Sequence, residues 1–253
     1  MNVTSRSARK RTPSPARAQK TEITRARLLA AAAKVIGKYG YGGCSIARIT
    51  RRAGVAHGAF YLHFKSQQQL FDQILPTLGQ VMLDAISHAI RDSTDIVELE
   101  RRGLEENFAY LSKHPYMYRV MNEAELYAPN AFKAHMDEMV ARYSRSLHRS
   151  LLNHEVHDFS SDDLEALAAM LMGARAYLLM LFCADKNAVK PLPPEMVDRY
   201  LRFVVHGLGV QPGAMVANSN WSGPPGLRFS AVPEPEEAEA PPKPRKVRAV
   251  RPQ

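Results

Sequence analysis

The feature that most constrains this chain is a single glycine between two short amphipathic patterns. Gly54 stands inside the run C-S-I-A-R-I-T-R-R-A-G-V-A-H-G-A-F-Y-L-H-F-K-S-Q-Q-Q-L, which extends from Cys44 to Leu70. Ser45 is a good N-cap, and Ile46, Ile49 and Ala53 follow at helical spacing, so the pattern predicts a helix from Ser45 to near Arg52. A glycine just past basic residues suits the left-handed position that ends a helix, and Val55 after it can tuck into a core. The residues from Ala56 to His63 predict a second short helix. Phe60 and Phe64 fall on one of its faces, and His57, Ala59 and Tyr61 on another. Two helices joined by a tight glycine turn form a helix-turn-helix, a unit whose second helix enters the major groove of DNA.

Charge points the same way. The net charge is +9, but residues 1–65 alone hold fourteen Lys and Arg against one acid, Glu22. Residues 66–213 hold 14 basic and 20 acidic side chains, and the segment from Ala214 holds 6 and 4. The basic excess therefore lies on the helix-turn-helix end, as phosphate binding requires, because each neutralised phosphate releases condensed counterions. A membrane surface would attract the same charge, yet no basic amphipathic helix with a broad apolar face occurs there.

The run G40-Y41, S45-I46, I49, A53-G54-V55, G58, F60-Y61, H63-F64 and L70 closely resembles the N-terminal domain of TetR-type transcriptional regulators. The resemblance covers about the first quarter of the chain. It implies an all-α fold, with an N-terminal three-helix DNA-binding domain followed by a larger helical domain for effector binding and dimerisation. On the matching positions the DNA-contacting set is Ser45, Arg48, His57, Gly58, Ala59, Tyr61, His63 and Lys65. Tyr61, His63 and Lys65 are expected against phosphates, and His57, Gly58 and Ala59 near base edges. Three positions depart from the family's pattern. Thr50 replaces a small alanine, so its hydroxyl needs a backbone acceptor. Gln67 replaces a lysine that commonly meets phosphate, a task Lys65 can take over. Ala56 is a poor cap where serine is usual, which leaves the recognition helix dependent on Phe60 and Phe64.

At 253 residues and 45% hydrophobic, the chain can bury a sizeable core. Four segments are expected: a disordered basic arm over 1–20, the DNA-binding domain over 21–65, the effector-binding and dimerisation domain over 66–213, and a disordered tail rich in Pro and charge over 214–253. The arm can reach into a minor groove or act as a solvated tail, and the basic end of the C-terminal tail can touch nucleic acid or only solubilise. Thr21 caps the first helix, with Ile23, Leu28, Ala31, Ala32, Val35 and Ile36 on its buried side. A long helix from Ser66 to Ala89 carries an apolar stripe, and Pro76 should kink it because proline removes a backbone donor. In the family this helix is the lever between ligand and DNA. Further helices are expected over the Val97 to Leu111 pattern, Tyr116 to Ala128 and Asn130 to about Asn153. A loop from His154 to Ser161 follows, then a long helix capped by Ser161 and a last helix from Glu195 to about Leu208. No β pattern of weight appears.

Two distant cysteines, Cys44 and Cys183, suggest no disulfide framework, and no signal-peptide stretch precedes the first helix. The longest apolar run, Ala176 to Ala184, is short of the roughly 20 residues of a membrane span. The expectation is a cytoplasmic protein with no membrane partner. No catalytic motif stands out, so no enzyme activity, cofactor or metal is expected. His148, His154 and His157 cluster in sequence without supporting ligands. Cys44 is either a redox-sensitive thiol near Arg48 or a small residue filling space.

Arg175, inside M-L-M-G-A-R-A-Y-L-L-M-L-F, is the informative oddity, because a cation in so apolar a helix must be paired or face a polar cavity. One reading pairs it with Glu123 or Glu125. The other gives it a polar effector group, bound among Tyr116, Arg119, Asn122, Glu123, Tyr127 and Tyr177. Small residues Ala168 to Ala176 and the apolar face of Val197, Leu201, Val204, Val205 and Leu208 are the dimerisation candidates, and the resemblance implies a symmetric homodimer. The sequence thus favours a repressor released from a palindromic DNA operator by a small-molecule effector. An architectural DNA-binding protein without effector, or an enzyme or carrier with an appended DNA-binding domain, are the alternatives.

Overall fold

The first described residue, Pro15, already lies in the first helix. In the computed structural model, which describes residues 15–185 and 188–210, α1 spans Pro15–Tyr39, six residues ahead of the expected Thr21. Proline at a helix start lacks only an N–H that has no intrahelical partner anyway. Residues 15–20 of the expected arm are therefore helical, and the rest of the arm lies outside the described residues, as does the expected tail. Leu28, Leu29, Ala32 and Ile36 are buried, but Ile23 is exposed rather than part of the buried side.

α2 spans Ile46–Ala53. The Ser45 hydroxyl accepts from the Arg48 backbone N–H at 3.3 Å, and the Thr50 hydroxyl finds its acceptor in the Ile46 carbonyl at 2.9 Å. Gly54 sits at φ 65°, where a side chain would be strained, and its N–H bonds the Arg51 carbonyl while that of Val55 bonds Thr50. The recognition element is a 3₁₀ turn, His57–Leu62, instead of the expected α-helix. Ala56 supplies no side-chain cap, and the turn is held by the fully buried Phe60 with Phe64 beside it.

The lever is one continuous helix in three parts. α3, Gln67–Ile74, passes through a π turn, Leu75–Gly79, into α4, Gln80–Ala89. Pro76 is inside the wide turn, which absorbs its missing donor without a sharp break. α5 (Ile96–Lys113), α6 (Tyr116–Tyr127) and α7 (Pro129–Leu152) follow. Ser160, one residue before the expected Ser161, then makes a capping box with Asp163. α8 spans Leu164–Leu178 and runs through a second π turn, Leu179–Cys183. A minimal antiparallel hairpin, β1 (Ala184–Asp185) with β2 (Ala188–Val189), leads to α9, Pro194–Gly207.

Five helix packings position everything else. α1 lies on α2 and α6, α4 and α9 lie on α5, and α7 lies on α8. The apolar face of α9 expected to meet a second subunit faces this core instead: Leu201 is 4% exposed and Val204 1%. An amphipathic pattern fixes that a face is buried, but not by which neighbour.

Candidate DNA-binding surface and effector cavity

The expected DNA contacts gather at the outer end of the head formed by α1, α2 and the recognition turn. His57, Gly58, Tyr61 and Lys65 are exposed, and Ala59 and His63 are half-buried. A Cβ placed on Gly58 would meet nothing within 4 Å, so its backbone is open to close approach. Ser45 is the α2 cap, and its neighbour Arg48 is exposed and donates to the Gly43 carbonyl. Gln67 is held away from this surface, its side-chain amide bonding the Cys44 carbonyl at 2.5 Å. One residue the sequence reading missed is Tyr39. Its exposed ring has the Arg48 guanidinium 4.6 Å and the Lys38 ammonium 5.1 Å from its centre. Lys38, with help from Arg48 and Arg52, lowers the Tyr39 pKa. Cys44 is buried, and burial pushes its thiol up to about 12, which suits filling space and not redox chemistry.

The seven expected effector contacts divide between two places. Tyr116, Arg119, Glu123 and Tyr127 do not line the cavity; they repeat at helical spacing along one face of α6 and grip the head. The Glu123 carboxylate accepts the Tyr41 backbone N–H at 2.8 Å and pairs with Arg119 at 2.5 Å. Arg119 also donates to the Lys38 carbonyl, and Tyr127 stacks on Tyr41 with ring centres 5.4 Å apart. Tyr116 presses so close to α1 that a Cβ on Gly37 would sit 2.3 Å from its own Cβ. Asn122, on the opposite face of the same helix, lines the cavity together with Arg175 and Tyr177.

That cavity encloses about 410 Å³ in the body of the protein. α4 contributes Met82, Leu83 and Ile86, α6 contributes Tyr118, Met121 and Asn122, and α8 with its π turn closes the far side through Met172, Ala176 and Met180. Its size and mostly apolar wall with a few polar groups are those of a small-molecule site. It touches both elements that hold the head, the α3–α4 lever and α6.

Arg175 is paired, though not with Glu123 or Glu125. Its Nη2 donates to Glu100 Oε2 at 2.6 Å, and its Nε to the Tyr200 hydroxyl at 3.0 Å. The Glu100 carboxylate is fully buried, and it also accepts from Tyr143 at 2.6 and 2.7 Å and from Tyr200 at 2.7 Å. Burial alone would lower the Arg175 pKa, but Tyr143, Glu100 and Tyr200 hold it well above its ordinary value. Burial also drives the Tyr143 hydroxyl far up, so it donates as a neutral phenol. Sequence reasoning missed Glu100, although its place among Ile96, Val97, Gly103 and Leu104 puts it on the inward face of α5.

α8, its π turn and α9 leave an apolar strip uncovered. Tyr177 is 64% exposed, Leu181 67% and Phe203 55%, with Met170, Met180 and Phe182 nearby. The helix from Ser161 to Cys183 is long and apolar enough, by length and composition, to cross a membrane. Its Leu164, Leu167 and Leu171 face is nonetheless buried in the core, and Arg175 sits in its middle. Among the described residues, no cluster of His, Cys, Asp and Glu could hold a metal ion.

The geometry is thus that of a helix-turn-helix head on a helical body that holds a ligand-sized cavity. Residues 28–74 match the family model of bacterial regulatory proteins, tetR family. Over 188 residues the chain is 24% identical to the uncharacterized HTH-type transcriptional regulator YhgD of Bacillus subtilis, covering 72% of this chain and 94% of that one. It is 22% identical over 157 residues to the nucleoid occlusion factor SlmA of Vibrio vulnificus, 61% of this chain and 79% of that one. The fold matches that of the fatty acid degradation regulator FadR from Bacillus halodurans with a TM-score of 0.60 at 15% identity, covering 79% of this chain and all of the other. Residues 28–74 thus carry the N-terminal domain of that family, and the helical body shares the fold of solved regulators.

Proposed function

We propose that the protein is a homodimeric repressor that binds a palindromic operator in the cytoplasm and leaves it when a small-molecule effector fills the body cavity. The observation carrying this reading is that one cavity touches both mechanical links to the head. Met82, Leu83 and Ile86 stand on the lever, and Tyr118, Met121 and Asn122 on the helix whose other face grips Tyr41. A ligand shifts an equilibrium only through different affinities for two states. Filling the cavity displaces α4 and α6 together, and the head moves with them. In a dimer this changes the distance between two recognition turns, which must meet half-sites about 34–36 Å apart or a multiple of that.

The contacts in this reading are phosphate binding by Tyr61, His63 and Lys65 and base approach by His57, Gly58 and Ala59, with Ser45 and Arg48 at the head of α2. The uncovered strip of Tyr177, Leu181 and Phe203 is the surface for the second subunit. Likeness to the nucleoid occlusion factors favours a second reading, a DNA-organising protein without effector. A nuclease footprint on the DNA upstream of the gene separates them. One short palindromic protection, lost on adding a cell extract fraction that binds the protein, is expected of the repressor. Broad, sequence-indifferent protection that no small molecule relieves sinks it.

A further inference from the structure

The charges around the cavity are already matched, and this restricts what can enter it. Two cations line it, Arg142 and Arg175. Arg142 is held by Asp84 at 2.8 Å and Glu138 at 2.6 Å. Arg175 is held by Glu100, whose two oxygens already receive three donors: the Tyr143 hydroxyl, the Tyr200 hydroxyl and the guanidinium itself. Neither arginine therefore offers an uncompensated positive charge. Arg175 still keeps one side open. It lines the cavity beside Gly103, where a Cβ would come within 3.4 Å of both Nη1 and Nη2, and its Nη1 has no hydrogen-bond partner among the described residues.

From this arrangement, and resting on the cavity's being the effector site, we infer that it selects an uncharged lipophilic molecule carrying one hydrogen-bond acceptor, such as an ester, amide or ketone, and discriminates against the corresponding carboxylate. A neutral carbonyl oxygen gains a charge-assisted hydrogen bond from Nη1 and disturbs nothing. A carboxylate at the same place is a second anion on a guanidinium that already serves a buried one. It meets Glu100 as a like charge in a medium of low dielectric, and drawing Arg175 toward itself would leave Glu100 buried without its cation. The remaining wall fits the lipophilic part. Five of the chain's eleven methionines, Met82, Met121, Met139, Met172 and Met180, line the cavity. Flexible, polarizable thioethers repack around differing shapes, so the site reads charge more strictly than outline.

The test uses the full-length protein and isothermal calorimetry with two matched pairs, methyl dodecanoate against dodecanoate and methyl naphthoate against naphthoate. The ester of at least one pair is expected to bind roughly tenfold or more tightly than its acid. Glu100→Gln removes the resident anion while keeping its size, and is expected to narrow or invert that preference. An acid that binds the wild-type protein as tightly as its ester overturns the inference, whatever becomes of the variant's folding. A folded Glu100→Gln protein with an unchanged preference removes Glu100 from the explanation and overturns it equally. If no member of either pair binds, the reading of the cavity as an effector site fails with it.

Discussion

The head and the body handle charge in opposite ways. On the head, basic side chains stand in water along one surface, and the exposed ring of Tyr39 is flanked by two cations. In the body, the cations of the cavity wall are matched: Arg175 pairs with the buried Glu100 under two tyrosines, and Arg142 is held between two exposed acids. Exposed unmatched charge suits a partner that is itself a polyanion and can be left again at modest salt. Matched charge on the cavity wall leaves no uncompensated cation for a loose anion to bind. The two regions are therefore sensitive to different substitutions, and that can be pressed until it breaks.

The largest effect is expected from a charge on either side of α9 and α8. Leu201→Asp places an unpaired carboxylate in the core and should cost more than about 4 kcal/mol, seen as loss of the cooperative melt. Leu181→Asp, on the exposed strip, should stay helical by circular dichroism but sediment as a monomer and lose operator binding. A monodisperse dimer from Leu181→Asp would place the interface elsewhere. Arg175→Met comes next: it strands Glu100, and urea denaturation should register a loss of about 3–5 kcal/mol. A melt like that of the wild type would mean that the interior charges are not matched as described.

The junction between the regions should respond more mildly. Gly37→Ala drives a methyl into Tyr116, and overpacking of this kind costs about 1–3 kcal/mol. Its diagnostic sign is weaker coupling between effector and DNA binding, read as a smaller effector-induced drop in operator affinity by fluorescence anisotropy. On the head, Lys65→Ala should leave stability unchanged, weaken all DNA sequences alike and reduce the salt slope by about one. Equal slopes would remove Lys65 from the contacts. The smallest effect belongs to Cys44. With its pKa pushed up to about 12, the thiol stays protonated across neutral and mildly alkaline pH, so iodoacetamide should not modify it in the native protein. Rapid native-state alkylation would show the head opening far more often than its packing implies.

What could be read from the chain follows the same division. The head was legible because its determinants are neighbours in sequence: Ser45 caps the helix it precedes, Gly54 turns where it stands, and Phe60 and Phe64 bury one face of one turn. The body was not, because its site is assembled from helices far apart in the chain. Arg175 announced that it needed a partner, yet Glu100 is 75 residues away and Tyr200 a further 100 beyond that glutamate. Tyr116, Arg119, Glu123 and Tyr127 are neighbours of Asn122 in sequence, whereas their spacing sets them on the other side of α6. Leu201 and Val204 show the remaining limit, since one amphipathic face serves equally well for a subunit's own core or for a second copy.

Tyr177 belongs to two surfaces at once, the cavity wall and the apolar strip. If the second copy docks on that strip, dimerisation and effector binding draw on one side chain, and linkage requires each to change the strength of the other. The effector dose that clears the operator would then not be a constant of the molecule. It would move with the number of copies a cell holds, so that expression level itself becomes a setting of the sensor.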